Sequence, residues 1–257
     1  MVDADVLIVA GDLGDARHVE EALARLCDRA PVVVYVAGNH EYYGACPEET
    51  SERLSCAAAR LANLRWLDSS VVDVAGLRFA GATLWYPGRA WAGRLLDAVT
   101  PDALFVRDLV PWVHEEAARA AAFVANADAD ILVTHHLPTW RSASHRLRDA
   151  PLNAYFVHDL EAHLGRFRLV VHGHTHRAMD YEIGPTRVLC HPCRTMPRIL
   201  DVSPHFETVC SRLSVLPRSR RLEVGGSNGS VQQAGFEGAG RRQVGRPEAL
   251  GRGPRWC

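Results

Sequence analysis

At 257 residues the chain is long enough for one large domain with a full hydrophobic core. Its 47% apolar and 23% charged residues are those of a soluble globule, and a net charge of -1 gives no field for drawing in nucleic acid or a membrane surface. Seven scattered cysteines argue against a disulfide framework and for a reducing cytosol, and no apolar run reaches the length of a signal-peptide core or a bilayer span. Every one of the 29 basic residues is Arg, which reads as coding bias rather than chemistry.

Taken in order, Val6–Ala10 (VLIVA) is a buried strand that runs into Gly11-Asp12-Leu13-Gly14-Asp15. A helix is predicted over 17–30, with Val19, Ala22, Leu23, Leu26 and Cys27 on one face, Asp15 placed to cap it and Pro31 to end it. The strand at 32–36 (VVVYV) stops at Gly38-Asn39-His40-Glu41. A second helix is predicted over 51–64, with Leu54, Ala57, Ala58 and Leu61 as its stripe. Residues 71–74 and 77–80 flank Ala75-Gly76 and read as a hairpin of a second sheet. The Trp-rich stretch 85–111 reads as a loop or lid with short helices, and Pro111 opens an Ala-rich helix ending near Asn126. Ile131–Thr134 runs into His135-His136-Leu137-Pro138, followed by a loop to 156 and a short helix over 158–164. Leu169–Val171 runs into His172-Gly173-His174-Thr175-His176, and 181–190 reads as a closing hairpin. Cys190 and Cys193 form a C-x-x-C without the second pair that a zinc site needs, so the plain reading is a strand cysteine with a chance neighbour.

The domain is expected over 1–210. Residues 211–257 hold nine Arg against three acidic residues and are rich in Gly, Ser and Pro, so they are expected to be a disordered tail, dispensable for stability and metal binding. Such a tail is either an RNA-binding segment or an unselected extension.

Four strands thus end in Asp, Asn or His. In open α/β sheets chemistry collects just past the carboxyl ends of the strands. Oxygen and imidazole ligands without Cys suit Mn, Fe or Zn. The order GDxxD, GNHE, THH, GHTH resembles the calcineurin-like metallophosphoesterase superfamily over about 3–192, and Tyr42-Tyr43-Gly44 and Gly81-Ala82-Thr83-Leu84-Trp85 look like a bacterial branch of undefined substrate. The resemblance implies an α/β (α+β) fold, a four-layer α/β/β/α sandwich of two mixed sheets. It also implies two divalent metal ions that clamp a phosphate and generate hydroxide at neutral pH. Carried over by motif, Asp12 bridges both ions, Asn39, His135 and His174 hold the second, and His176 holds the first. His40 is the acid that protonates the leaving alkoxide, and Asp15 the carboxylate that orients it. An extended GHTH segment would put His174 and His176 on one side. His136 is left outside the ligand set as a second-tier donor, and His172 is read as simply buried. Tyr42, Tyr43, Trp85, Trp140 and Arg141 are either pocket walls or packing.

One departure bears on the metal count. The superfamily's first motif, Asp-x-His, ends a strand ahead of the GDxxD strand, and no counterpart precedes Val6 here. The domain is therefore expected to lack its first strand, leaving backbone donors open at the sheet centre. Ligands for the second metal are complete, whereas the first keeps Asp12 and His176. The expected function is dinuclear metal-dependent hydrolysis of a phosphate mono- or diester. The alternative is a catalytically degenerate scaffold or binding protein holding one metal. A nuclease reading is disfavoured by the acidic balance of 1–210. The expected partner is a small phosphorylated substrate in the cytoplasm, with no membrane and no nucleic acid except through the tail.

Overall fold

The computed structural model describes residues 4–87, 100–143, 151–193, 208–214 and 223–225. Two six-stranded mixed sheets organise them. The first contains β1 (Val6–Ala10), β2 (Val33–Val36) and β3 (Leu64–Trp66), which are parallel neighbours. The second runs in the order β4 (Ser70–Val74), β5 (Leu77–Ala82), β6 (Ile131–Thr134), β7 (Leu169–Val171), β9 (Thr186–Cys190), β8 (Met179–Ile183). Its four middle strands are parallel, and the antiparallel hairpins β4–β5 and β8–β9 close its two edges.

The strand sequences are continuous apolar runs because both of their faces are covered. Along β1, Val6, Ile8 and Ala10 join a core between the sheets with Val34, Val36, Phe79, Ile131, Val133 and Val171. Leu7 and Val9 point the other way, onto α1 (Val19–Cys27) and α2 (Pro47–Arg60), through Leu23, Leu26, Leu54 and Ala57. The outer face of the second sheet packs Ala80, Leu132 and Val170 against α4 (Leu109–Asn126) and α5 (Glu161–Leu164), with Val124 and Leu164 buried there. A short α3 (Pro101–Phe105) precedes α4, whose regular turns start at Pro111 because Val110 is extended. The layers are helix, sheet, sheet, helix, the α/β/β/α sandwich expected.

Three local expectations change. Helix α2 starts at Pro47, a turn early, because Pro suits the first helical turn and Glu48 and Glu49 follow it at the positive end of the helix dipole. It stops at Arg60, which frees Leu64–Trp66 to pair with β2 as a strand too short to stand out in sequence. The edge of β1 away from β2, expected to stand open, carries β11 (Thr208–Ser214), antiparallel with Val6 opposite Leu213 and Val9 opposite Cys210. β10 (Pro192–Cys193) and β12 (Glu223–Gly225) pair with β11 in turn. Strand residues therefore lie beyond the boundary expected at 210; the rest of the expected tail falls outside the described residues. Cys190 is a buried strand residue ending β9, its thiol pushed up to about 12 by burial. Among the described residues no helix is long and apolar enough to cross a membrane.

Candidate metal centre

β1, β2, β6 and β7 end at the same place, and two glycines let the backbones meet there. A Cβ on Gly11 would lie 2.5 Å from the Gly38 nitrogen and from His135 Nδ1, and one on Gly38 would lie 2.7 Å from the Asp12 nitrogen. Only glycine fits so close an approach. Gly11 (φ 85°) and Asp12 (φ 60°) both turn left-handed, which puts the Asp12 side chain over the strand end. For a residue other than glycine that geometry costs about 1–2 kcal/mol. The Glu41 carboxylate holds it: it is fully buried and accepts the N–H groups of Asp12 (3.0 Å), Leu13 (2.5 Å) and Gly38 (2.5 Å). Burial, then the charge of Asp12, pushes Glu41 up to about 8, while the three N–H donors pull the other way. The last residue of GNHE is thus a staple between two ligand-bearing loops.

His135 is fully buried, and its Nδ1 lies 2.7 Å from the Ala10 carbonyl. A carbonyl only accepts, so Nδ1 carries the proton and Nε2 presents a lone pair. That lone pair faces Asn39 Oδ1 at 3.0 Å and His174 Nδ1 at 3.0 Å, with Asp12 Oδ1 at 3.4 Å. Burial lowers the pKa of both imidazoles, so they sit neutral, as metal ligands must. Asn39 Oδ1 and the bare His135 Nε2 are two acceptors in contact, and they repel unless a cation lies between them. Asp12, His135 and His174 offer ligand atoms within 4.8 Å of one another, the cluster expected of a divalent ion. The residues present therefore fit a metal ion.

Sequence reasoning missed the support behind Asn39. Its Nδ2 donates to Asp102 Oδ1 at 2.7 Å and to Tyr43 OH at 3.1 Å, and the Tyr43 hydroxyl donates to the same Asp102 oxygen at 2.8 Å. Burial raises the Asp102 pKa, and the Asn39 and Tyr43 donors counter it. In sequence, Thr100-Pro101-Asp102 reads only as a helix cap and first-turn acid, a role Thr100 does fill by accepting the Ala103 N–H.

The other expected residues fall as follows. His40 stacks on Tyr43 (ring centroids 4.6 Å apart), and its backbone N–H donates to Asp12 Oδ1 at 3.3 Å. Asp15 Oδ1 accepts from the backbone of Arg17 and His18 and lies 2.6 Å from His18 Nδ1; it closes the turn ahead of α1, whose own N-cap position is His18 rather than Asp15. The GHTH segment is not extended: His174 (φ 65°) and His176 (φ 51°) are both left-handed, and the alternation argument for a shared side does not apply. His174 joins the cluster, whereas His176 is exposed and outside it. His136 and His172 are fully buried; His136 Nδ1 lies 3.2 Å from the Thr83 carbonyl, and His172 contacts Ser142. Tyr42 and Trp85 are packed in the core, and Arg141 pairs with Glu161. Tyr43 belongs to the Asn39 support.

The sequence profile described as calcineurin-like phosphoesterase matches residues 2–178. The chain belongs to the calcineurin-like phosphoesterase family. This family is metal-dependent, in accord with the Asp12, His135 and His174 cluster. Among solved structures, this calcineurin-like phosphoesterase is similar to the phosphopantetheinyl hydrolase PptH of Mycobacterium tuberculosis. The identity is 17%, with 72% of this chain and 78% of that one covered and a TM-score of 0.59, a likeness of fold. It also matches TT1561 of Thermus thermophilus at 16% identity, covering 86% of this chain and 85% of that one with a TM-score of 0.48. No curated protein matches it in sequence.

Proposed function

We propose that this phosphoesterase hydrolyses a phosphate mono- or diester of a small phosphorylated molecule with two divalent ions, Mn, Fe or Zn. The observation that carries the reading is the convergence of Asn39 Oδ1, His135 Nε2 and His174 Nδ1 beside Asp12. When bound, the ions neutralise phosphate charge and lower the pKa of water so that hydroxide is available at neutral pH. Asp12, Asn39, His135 and His174 would hold one ion, and Asp12 with His176 contribute to the other. His40 gives its proton to the leaving alkoxide; imidazole is the side chain best suited to carry a proton near neutral pH. Its stacking on Tyr43 and the bond of its backbone N–H to Asp12 keep this acid beside the candidate ligands. Asp15 as the orienting carboxylate is part of the same reading. So is a cytoplasmic location, supported by four free cysteines among the described residues.

A second reading, a scaffold holding one metal, is favoured by a single feature: His176 is exposed and outside the cluster. Titrating chelator-stripped protein with Mn2+ while following p-nitrophenyl and alkyl phosphoester hydrolysis separates the two. His135→Ala should abolish metal binding and turnover together. His40→Ala should keep its metal and lose turnover by about 10²–10⁴ on alkyl esters, with a smaller loss on p-nitrophenyl esters. One bound ion with no turnover would leave the scaffold standing.

A further inference from the structure

We propose that Asp102 is a positioning residue of the metal centre, which decides which end of the Asn39 amide faces the ion. The proposal rests on the reading of this site as a metal centre and adds a residue that none of the motifs contains.

An amide side chain can present either its oxygen or its NH2 group. Were Asn39 turned over, its NH2 would meet the bare Nε2 of His135, 3.0 Å from the present Oδ1, and make a good hydrogen bond. The metal-free site would then satisfy itself and close. The turned amide would also set its oxygen at the place of Nδ2, 2.7 Å from Asp102 Oδ1. That oxygen already accepts the Tyr43 hydroxyl, so it is an acceptor at this point and repels a second acceptor. Asp102 therefore forbids the self-satisfied state and keeps a carbonyl oxygen aimed at the ion. It is a case of preorganisation, in which the conflict between Asn39 Oδ1 and His135 Nε2 is built in and a cation relieves it.

The segment around Asp102 is anchored well enough to enforce this. Asp102 is only 6% exposed. The Gly44 N–H donates to the Phe105 carbonyl at 2.8 Å, and the Arg107 N–H to the Ala45 carbonyl at 2.9 Å. Arg107 pairs with Glu49 at 2.6 Å, and the Phe105 ring lies 5.2 Å from that of Tyr43. Thus α3 and the residues after it clasp the same loop that carries Asn39.

The test is calorimetric titration of chelator-stripped full-length protein with Mn2+, with melting curves in EDTA alongside. Asp102→Leu keeps the branched shape and removes the acceptor; we expect Mn2+ affinity to fall by about 10–100-fold, with the metal-free melting temperature little changed because the freed amide turns to His135. Asp102→Asn retains an acceptor oxygen and should lose less. The exchanged pair Asn39→Asp with Asp102→Asn restores one donor opposite one acceptor, and should bind Mn2+ more tightly than Asp102→Asn alone. Wild-type affinity in Asp102→Leu overturns the proposal. If Asp102→Leu fails to fold, the exchanged pair decides: affinity no better than that of Asp102→Asn overturns it equally. A wild-type chain that binds none of Mn2+, Fe2+ and Zn2+ would instead sink the metal-centre reading, and this inference with it.

Discussion

His172 stands two residues before His174, and its hydrogen bonds fix the direction of a short relay. Its Nδ1 lies 3.1 Å from the Gly173 carbonyl, which only accepts, so Nδ1 carries the proton and Nε2 accepts from Ser142 Oγ at 2.8 Å. Ser142 Oγ must then accept from the Tyr181 hydroxyl at 2.6 Å. Burial lowers the pKa of this imidazole to about 4. The folded state thus binds fewer protons than the unfolded chain below about pH 6.5. Its contribution to stability is present above that pH and is lost as pH falls towards 4, by about 3 kcal/mol at most. His172→Asn cannot titrate, so the melting-temperature advantage of wild type over this variant should shrink between pH 7 and pH 4 in EDTA. An advantage that stays constant with pH would remove His172 from the acid response. At this scale the candidate ligands Asp12, Asn39, His135 and His174 are legible in the sequence because each follows an apolar run that reads as a strand. Asp102 and Glu41 are not, since their work consists of hydrogen bonds made across 63 and 29 residues of chain.

Elements were readable in proportion to how much of their own burial pattern they carry. β1, β2, β6 and β7 announce themselves, and α4 does through Pro111 and its alanines. β3 holds three residues of mixed character and is a strand because β2 offers it a partner. β11 is the clearest case of context over composition. Its sequence, TVCSRLS, looks unremarkable in a polar stretch, yet the free edge of β1 gives its backbone donors and acceptors somewhere to go. The stretch that sequence alone treats as a dispensable tail therefore includes a strand paired along β1. Each hydrogen bond of that ladder is worth about 1 kcal/mol net. Ending the chain at residue 207 should lower the melting temperature by several degrees and promote aggregation through the exposed edge of β1. An unchanged melting temperature would mean that β11 adds nothing.

Across the whole molecule, the candidate metal cluster joins the two sheets. Asp12 and Asn39 follow the ends of strands of the first sheet, His135 and His174 those of the second. A bound ion would thus couple the layers as well as serve the chemistry. Binding to the folded state alone should stabilise it by about 2.7 kcal/mol at a hundredfold excess over Kd. Mn2+ should accordingly raise the melting temperature of wild type and leave that of His135→Ala unmoved; equal shifts in both would place the ion elsewhere. The sandwich itself was legible from the alternation of strands and helices followed by hairpins. The pairing of β1 with β11 was not, and it has a consequence for how the chain is made. β1 leaves the ribosome before any other described strand, and β2 can join it soon after. Its other edge must wait until β11 has been synthesised, on the order of ten seconds or more at ordinary elongation rates. For that interval the nascent protein displays an open strand of five buried-type residues, which makes the half-made chain a natural client for a chaperone at the exit tunnel.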